Sequence, residues 1–259
     1  MPNEPIGGPA APVAIVTGGS RGLGRNTVIN LARRGVDAIF TFRTNRDAAE
    51  AVVSEAAALG RRAFALQLDT GRAGQFDNFA QQVTQTLDAL GRERFDYLVN
   101  NAGGSHHALI GAISEEDLDL LYAVHFKGVL LLTQALLPLI RDGGRIVNIS
   151  TGLTRFAYPG SAAYASMKGA VEVLTRYLAK ELGPRRIAVN VVAPGAVATD
   201  FSGGMVRDNP EVNRRVADMT ALGRAGEPDD IGPVIASLLS NDSRWVNAQR
   251  IEVSGGMVL

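Results

Sequence analysis

VAIVTGGSRGLG, at residues 13–24, joins a short apolar run to a glycine-rich turn and then to a stretch of good helix formers. Glycine in such a turn permits unusual φ values, a close approach of the backbone to a ligand, and tight packing of the helix on its strand. Free N–H groups and the positive end of the helix dipole attract an anion. The segment therefore predicts a turn that binds a dinucleotide pyrophosphate. The predicted contacts from this turn are Gly18, Ser20, Arg21, Gly22, Leu23 and Gly24.

Six more short apolar runs follow along the chain, each separated from the next by a longer segment. The runs are uninterrupted and do not alternate with polar residues, which indicates strands covered on both faces. The fold class is therefore α/β, a single Rossmann-type domain with a seven-stranded parallel sheet and helices on both faces. The predicted strands are residues 13–17, 38–42, 62–67, 96–100, 145–150, 187–193 and 249–254.

The segments between the strands contain good helix formers with apolar residues at helical spacing. A long stretch at 194–224 is rich in Gly, Asn and Asp, and we expect an irregular loop that acts as a lid or binding segment. Residues 1–12 include four prolines and are expected to form a flexible arm, with the domain at 13–259. The predicted helices are 25–34, 46–59, 75–90, 115–140 and 162–182.

Composition excludes several classes of function. The 259 residues include 26 Lys and Arg against 26 Asp and Glu, so no overall charge favours nucleic acid or an anionic membrane. There is no cysteine, and the three histidines lack metal-ligand spacing, so no metal site is expected. No stretch is long and apolar enough to span a membrane. We expect a cytoplasmic protein whose partner is a small molecule.

The end of the second predicted strand decides which nicotinamide coenzyme the glycine turn would select. An acidic residue there would hold an unmodified ribose 2′-hydroxyl. The strand instead ends in Phe42 and Arg43, and the nearest acid, Asp37, precedes it. Arg43, together with Arg21, is suited to binding a 2′-phosphate through charge-assisted hydrogen bonds. The pattern favours NADPH over NADH; the alternative is that both arginines are solvated surface residues.

YASMK, at residues 164–168, places Tyr164 and Lys168 four residues apart, on one face of a predicted helix. A free phenol has a pKa near 10 and is a poor acid-base catalyst at neutral pH. A neighbouring ammonium would lower that pKa, so we expect Tyr164 to be a usable proton donor. The same spacing also occurs by chance in amphipathic helices with a snorkelling lysine.

Five motifs occur in order along the chain: TGGSRGLG at 17–24, NNAG at 100–103, GRIVNIST at 144–151, YASMK at 164–168 and APGAVATD at 193–200. Together they resemble the short-chain dehydrogenase/reductase family, in particular its 3-oxoacyl-carrier-protein-reductase-like branch. The resemblance extends from about residue 13 to the C-terminus. It implies a single Rossmann-type domain, usually a homotetramer, that transfers hydride between NAD(P)H and a carbonyl carbon.

The resemblance also implies roles for individual residues. Tyr164 and Lys168 would both contact the coenzyme, and Lys168 would hold the nicotinamide ribose. By position in the motifs, Asp69 and Thr70 would contact the adenine, and Asn101 would contact the adenine ribose. Val197 and Thr199 would contact the carboxamide.

The chain departs from the family pattern at the catalytic serine. The family's serine lies thirteen residues before the tyrosine, and Thr151 stands there, with Ser150 one place earlier. Threonine keeps the hydroxyl, although its β-branch restricts the side chain. Successive residues of a strand point to opposite faces, so Ser150 is not expected to replace Thr151. We therefore interpret Thr151 as the catalytic hydroxyl.

A second departure is VHFKG at 124–128, where His125 stands in place of the family's asparagine. In the family that residue acts largely through its main-chain carbonyl, which holds a water linking the lysine to solvent. His125 can present the same carbonyl. We therefore prefer the interpretation in which His125 is a catalytic residue that acts through its main-chain carbonyl. The alternative is that its imidazole titrates near neutrality and joins the proton relay.

These observations favour an NADPH-dependent reductase of ketones or aldehydes, with a proton from Tyr164. One alternative is a 3-oxoacyl-[acyl-carrier-protein] reductase, although the helix predicted after residue 128 offers no basic surface for an acidic carrier. Another is a protein that senses NADPH without turnover, which would be expected to lose the Tyr164 and Lys168 pair. Residues expected near the substrate entrance are Ser105, His106, His107, Phe156, Tyr158 and the segment 199–220. For His106 and His107 the preferred interpretation is that they are polar loop residues that do not contact substrate.

Overall fold

The computed structural model describes residues 11–259, so residues 1–10 of the predicted N-terminal arm lie outside the described part. Seven parallel strands form one sheet in the order β3-β2-β1-β4-β5-β6-β7. This confirms the predicted fold class. The strands are β1 (Val13–Val16), β2 (Asp37–Phe42), β3 (Ala63–Gln67), β4 (Phe95–Asn100), β5 (Ile140–Ile149), β6 (Ala188–Pro194) and β7 (Arg250–Val253).

Helices cover both faces of the sheet, which explains why the strands lack polar alternation. One apolar core lies beneath α1, α2 and α9 and contains Val28, Val52 and Ile235. A second core lies beneath α3, α5 and α6 on the opposite face and contains Phe79 and Leu132. The helices are α1 (Gly22–Arg33), α2 (Arg46–Ala58), α3 (Phe76–Ala89), α4 (Glu115–Tyr122), α5 (Gly128–Leu136), α6 (Ala162–Glu181), α7 (Met205–Asp208), α8 (Pro210–Asp218) and α9 (Pro228–Leu238).

The helix predicted over 115–140 is wrong in two respects. It is divided by a π-helical segment, Ala123–Lys127, between α4 and α5. It also ends at Leu136, because Pro138 restricts the residue before it and cannot continue the hydrogen-bond ladder. Ile140 then begins β5 and pairs with Phe95 of β4.

The segment 194–224 is not the irregular loop expected from its composition. It contains α7 and α8, and α8 begins where the Asn209 side chain accepts hydrogen bonds from the N–H groups of Glu211 and Val212, with Pro210 in the first turn. Between Thr199 and α7, Ser202, Gly203 and Gly204 all have positive φ. Capping chemistry therefore makes part of this segment regular and leaves a short strained stretch before it.

The strand order reverses between β1 and β4, and the chain leaves both strands at the same edge of the sheet. A crevice at the carboxyl ends of strands at such a point is where open α/β sheets bind ligands. The glycine turn follows β1, and NNAG begins at the last residue of β4. The fold thus brings two of the sequence motifs together at one edge.

Within residues 11–259, no helix is both long and apolar enough to cross a membrane. The same part of the chain contains no group of three or more acidic or histidine side chains arranged to hold a metal ion.

Candidate active site

The glycine turn has the geometry of an anion-binding site. Gly18 has a φ of +66°, and a Cβ added to Gly24 would lie 2.1 Å from the carbonyl oxygen of Gly18. The N-terminus of α1 has no side-chain cap and no acidic residue in its first turn. Its N–H groups therefore remain available to an anion, and the backbone around them is not covered by side chains. These features fit a dinucleotide pyrophosphate.

Thr17 and Asn101 clamp the glycine turn to the end of β4. The Thr17 hydroxyl accepts hydrogen bonds from the N–H groups of Asn101 and Ala102, both at 2.9 Å. The Asn101 side-chain amide in turn donates to the carbonyl oxygens of Thr17, at 2.9 Å, and Gly18, at 3.2 Å. The sequence reasoning assigned Asn101 to the adenine ribose and missed this clamp. Thr17, which has a hydroxyl and directly precedes the first glycine of the turn, was the sequence signal that could have predicted this clamp.

Arg43 lies at the adenosine end of the cleft, where the chain leaves β2. Its side chain is exposed, and no carboxylate within residues 11–259 pairs with it. A cleft of about 720 Å³ is lined by Arg43, Asp69 and Arg72, among other polar side chains. Asp69 accepts a hydrogen bond from the Gly71 N–H at 3.0 Å and lies 3.5 Å from Arg72. Arg43 is thus a cation without a protein counter-ion at the edge of a polar cleft.

The second predicted phosphate ligand, Arg21, has a different partner. Its guanidinium lies 3.3 Å from a carboxylate oxygen of Asp200, in the segment that follows β6, and its side chain is 70% exposed. Thr199, next to Asp200, is buried, and its side chain lies over Gly22 of the glycine turn. Val197 forms a bridge with Gly226. The segment after β6 therefore covers the glycine turn. The contacts of Val197 and Thr199 with the carboxamide stay a prediction.

Three other predicted contacts of the coenzyme are also placed at this edge. Leu23 packs against the core beneath α1, and Ser20 is partly buried within the turn. Thr70 lies against α5, where a Cβ on Gly128 would stand 2.3 Å from the Thr70 carbonyl oxygen. Thr70 therefore sets how closely α5 approaches the end of β3.

Tyr164 and Lys168 lie on the buried face of α6. The Lys168 Nζ is 5.9 Å from the centroid of the Tyr164 ring and donates a 2.7 Å hydrogen bond to the carbonyl oxygen of Ile149. That bond fixes α6 beside the end of β5. Burial lowers the pKa of Lys168 to about 8. The two residues are neighbours, as the spacing predicted.

Lys168 is predicted to lower the pKa of the Tyr164 hydroxyl, and this prediction is wrong for the protein alone. Burial raises the pKa of Tyr164 above its usual range, because removal from water disfavours the charged phenolate. Tyr164 is therefore protonated at neutral pH. This is the form that a proton donor needs.

His125 lies in the π-helical segment, edge-on to Tyr164, with ring centroids 5.1 Å apart and an angle of 89° between the planes. Its Nε2 donates to the Gly104 carbonyl oxygen at 2.7 Å, so the neutral ring has its unprotonated nitrogen at Nδ1. Burial, assisted by the charge of Lys168, lowers the pKa of His125 to about 3. The alternative that the imidazole titrates near neutrality does not agree with this environment.

The His125 ring fits only because residue 103 is a glycine. A Cβ added to Gly103 would lie 2.7 Å from Cε1 of the ring. A π-helical segment also displaces one backbone carbonyl from the regular ladder, and such segments are frequent at functional sites. The sequence showed the histidine in place of asparagine, but periodicity did not reveal the π-helical segment around it.

Thr151 and Ser150, which follow the last residue of β5, differ in the hydrogen bonds of their hydroxyl groups. The Thr151 Oγ1 accepts only a long hydrogen bond from the Leu153 N–H, at 3.3 Å, so its own proton remains available. The Ser150 hydroxyl donates to the Glu172 carboxylate at 2.7 Å, and its side chain is buried. Thr151 is the residue of the two whose hydroxyl can serve a substrate.

Three segments lie together near Tyr164. Phe201 approaches Tyr164, with ring centroids 6.1 Å apart. The neighbouring Ser202 hydroxyl donates to the Ser105 hydroxyl at 2.8 Å. The loop that contains Ser105 is joined to residues 158–161 by a 3.0 Å hydrogen bond from the Ala108 N–H to the Gly160 carbonyl oxygen. His106 pairs with Asp117 at 3.1 Å and does not face the cleft as a free side chain.

A family model described as enoyl-(acyl carrier protein) reductase matches residues 18–258. The chain is also similar to a 3-oxoacyl-[acyl-carrier-protein] reductase of Synechocystis sp., with 35% identity over 96% of this chain and 98% of the relative. The chain belongs to the short-chain dehydrogenase/reductase family. As a member of that family, it is an NAD(P)-dependent oxidoreductase that acts on carbonyl or alcohol groups.

Two solved structures extend the comparison. The reductase LugOII, described as promiscuous and as catalysing keto-reduction at C1 during lugdunomycin biosynthesis, has a TM-score of 0.91 and 39% identity, covering 97% of this chain and 100% of its own. The angucycline C-6 ketoreductase LanV with bound NADP has a TM-score of 0.91 and 35% identity, covering 97% of both chains. The architecture of this short-chain dehydrogenase/reductase is therefore shared by enzymes that reduce ketones.

Proposed function

We propose that this short-chain dehydrogenase/reductase is an NADPH-dependent carbonyl reductase that converts a ketone or aldehyde to an alcohol. The observation that carries the proposal is the buried Tyr164 and Lys168 pair beside the end of β5, with the Thr151 hydroxyl proton available. When bound, the coenzyme supplies the hydride. The protein supplies placement of the carbonyl and the proton.

The proposed roles follow from the contacts of each side chain. Thr151 donates a hydrogen bond to the substrate carbonyl oxygen and polarises it. Tyr164, protonated at neutral pH, gives its proton to the same oxygen as the alkoxide forms. Lys168 supplies positive charge next to the phenol, and its pKa of about 8 keeps most of it charged at neutral pH. His125 acts through its main-chain carbonyl in the path that returns a proton.

NADPH, and not NADH, is the proposed coenzyme because Arg43, at the edge of the polar cleft, has no carboxylate partner within residues 11–259. A 2′-phosphate would provide the missing charge partner. Arg21 contributes less in this proposal, since Asp200 already pairs with it. The bound NADP of the similar ketoreductase LanV supports the same choice.

The proposed substrate is an apolar ketone carried on fused aromatic rings. Phe201 is 42% exposed although it lies next to Tyr164, and Tyr158, Leu109 and Met205 are exposed in the segments around the cleft mouth. Exposed aromatic and apolar side chains around a cleft mark a binding surface for a flat apolar ligand. LugOII, which catalyses keto-reduction at C1 during lugdunomycin biosynthesis, and LanV, an angucycline C-6 ketoreductase, support the choice of a ketone.

Reduction of 3-oxoacyl groups on a carrier protein is the second candidate, favoured by the similarity to the Synechocystis enzyme. Against it, α5 presents no charged side chain, and the first turn of α4 is acidic, with Glu115, Glu116 and Asp117. An acidic carrier would be repelled there. A sensor that binds NADPH without turnover has less support, because Tyr164 and Lys168 are both present and adjacent.

NADPH oxidation by the purified protein, measured against a panel of carbonyl compounds, tests these candidates. The panel contains a fused-ring aromatic ketone, a simple aldehyde, a 3-oxoacyl thioester on acyl carrier protein, and an enoyl thioester. We expect the highest kcat/KM with the aromatic ketone and an alcohol product by mass spectrometry. Preference for the carrier-bound thioester would establish the second candidate, and reduction of the enoyl carbon–carbon bond or no turnover would contradict both.

The assembly is proposed to be a symmetric homo-oligomer, and by resemblance to the family a homotetramer. Leu118, Leu120 and Tyr122 on α4, and Val173 and Tyr177 on α6, are large apolar side chains that remain exposed. Apolar surface of this kind is commonly covered by another subunit. Light scattering at micromolar concentration tests this, and a monomeric mass would contradict it.

A further inference from the structure

Next to Thr151, polar side chains from distant parts of the chain meet. They come from the end of β5, from α6 and from β7, and the proposed reaction uses none of them. The members of this cluster are Ser150, Thr154, Glu172, Arg250 and Glu252. We call it the support cluster.

Glu172 is the centre of the support cluster. One of its carboxylate oxygens, Oε1, accepts hydrogen bonds from the Ser150 hydroxyl at 2.7 Å, the Thr154 hydroxyl at 2.7 Å and the Arg250 Nε at 2.9 Å. The Glu172 side chain is only 13% exposed. Hydrogen bonds to an ionised acceptor are stronger than neutral ones. Glu172 therefore holds the residues on both sides of Thr151 to the same point of α6.

Arg250 connects the cluster to Thr151 itself. Its Nη2 lies 3.3 Å from the Thr151 carbonyl oxygen and 3.1 Å from the Thr154 hydroxyl. Its Nη1 donates to the Glu252 carboxylate at 2.9 Å. With the Nε bond to Glu172, the planar guanidinium thus spans four acceptors in a fixed geometry, which a lysine ammonium cannot reproduce.

Glu252 connects the support cluster to Arg155 and restricts its motion. Arg155 donates two hydrogen bonds to it, at 2.7 and 2.8 Å, and this pairing lowers the pKa of Glu252 to about 2. Arg155 also binds the carbonyl oxygens of Met257 and Val258, both at 2.6 Å. The support cluster is thereby tied to the C-terminal segment of the chain.

We propose that Glu172 and Arg250 are positioning residues that set the direction of the Thr151 hydroxyl. The cluster fixes the Thr151 carbonyl and the side chains at 150 and 154, and the β-branched Thr151 has few rotamers once its backbone is fixed. Its Oγ1 then has one direction relative to Tyr164. This inference rests on the proposed function, in which Thr151 polarises the substrate carbonyl.

The competing explanation is that the cluster only stabilises the fold by joining α6 to β7. The two explanations differ in what happens when Thr151 has no hydroxyl to position. A positioning residue loses its effect on kcat in a Thr151→Val background, whereas a purely structural residue keeps it. A double-mutant cycle measures this coupling directly.

The experiment compares wild type, Glu172→Gln, Thr151→Val and the double variant in NADPH-dependent ketone reduction. We expect Glu172→Gln to lower kcat about tenfold, since small misplacements of reacting groups are costly, and to leave the KM for NADPH unchanged. In Thr151→Val, the same substitution should change kcat by less than about twofold. The control is Glu55→Gln, which removes the carboxylate of the surface pair with Arg25 and should leave kcat unchanged.

A second variant keeps the test decisive if Glu172→Gln does not fold by circular dichroism. Arg250→Lys retains a cation but cannot span the same acceptors, and it should show the same loss of kcat and the same dependence on Thr151. Equal losses of kcat with and without the Thr151 hydroxyl, in whichever variant folds, would overturn the inference. A normal kcat for Thr151→Val alone would instead contradict the proposed function.

Discussion

The reaction end of the site, around Tyr164, and the adenosine end, around Arg43, differ in how they use burial. At the reaction end, Tyr164, Lys168 and His125 are each less than one-tenth exposed, and removal from water shifts the pKa of all three. At the adenosine end, Arg43 is exposed. Water therefore controls the strength of electrostatic interactions at one end and is largely excluded from the other.

This difference predicts which kinetic quantity each end controls. Buried groups with shifted pKa values change the barrier of the chemical step, because their protonation and orientation are set before the reaction. Exposed cations contribute a screened attraction to a bound phosphate and change coenzyme affinity instead. Substitutions at the two ends should therefore affect different quantities, kcat at the reaction end and coenzyme affinity at the adenosine end.

Tyr164→Phe is expected to have the largest effect. Without the phenol proton, kcat should fall by about a hundredfold or more, in keeping with general-acid contributions. NADPH binding, measured by fluorescence titration, should be nearly unchanged, because the substitution removes only one hydroxyl. Near-normal turnover in this variant would break the assignment of the reaction end.

The pH dependence of stability should reveal the buried Lys168. Its folded pKa of about 8 lies below the ordinary lysine value of 10.5, so between pH 8 and 10.5 the unfolded chain binds more protons. Burying the ammonium lowers the free energy of unfolding below pH 8, and this cost is lost as the pH rises. The free energy of unfolding should therefore increase by up to about 3 kcal/mol. Wild type should therefore gain stability relative to Lys168→Met between pH 8 and 10.

Urea unfolding of both proteins at several pH values measures this difference. The comparison stays below pH 10 because Tyr164 also titrates above that range in the unfolded chain. A difference in unfolding free energy that does not change with pH would show that Lys168 keeps an ordinary pKa in the folded protein.

Arg43→Ala tests the adenosine end. If Arg43 binds the 2′-phosphate, the dissociation constant of NADPH should rise about tenfold to a hundredfold, corresponding to roughly 1.5 to 3 kcal/mol. The dissociation constant of NADH and the value of kcat at saturating NADPH should hardly change. Equal weakening of both coenzymes, or a wild-type preference for NADH, would contradict the proposed coenzyme choice.

His125→Asn is expected to have the smallest effect. Because the His125 pKa is about 3, its ring stays neutral across the physiological range and contributes no ionisation there. The variant retains the main-chain carbonyl, so kcat should remain within about threefold and the pH profile of kcat between 5 and 8 should not move. Loss of an ionisation near pH 6.5 in the variant would make the imidazole a proton carrier.

Local patterns predicted the elements that depend on neighbouring residues. Uninterrupted apolar runs located all seven strands, and the four-residue spacing placed Tyr164 beside Lys168 on α6. The same patterns were wrong over 115–140, where periodicity continues through the π-helical segment and past the true end of α5 at Leu136. Helical periodicity in a sequence does not show where a π-helical segment inserts one extra residue into a turn.

The sequence by itself determined the α/β class, the glycine turn, the family and the catalytic candidates, because each depends on residues close together in the chain. Only the tertiary structure decided the clamp between Thr17 and Asn101, the partner of Arg21 and the support cluster around Glu172. It also decided that Tyr164 is protonated and His125 neutral, since both follow from burial. Desolvation and long-range pairing depend on which distant segments meet, and no local pattern records that.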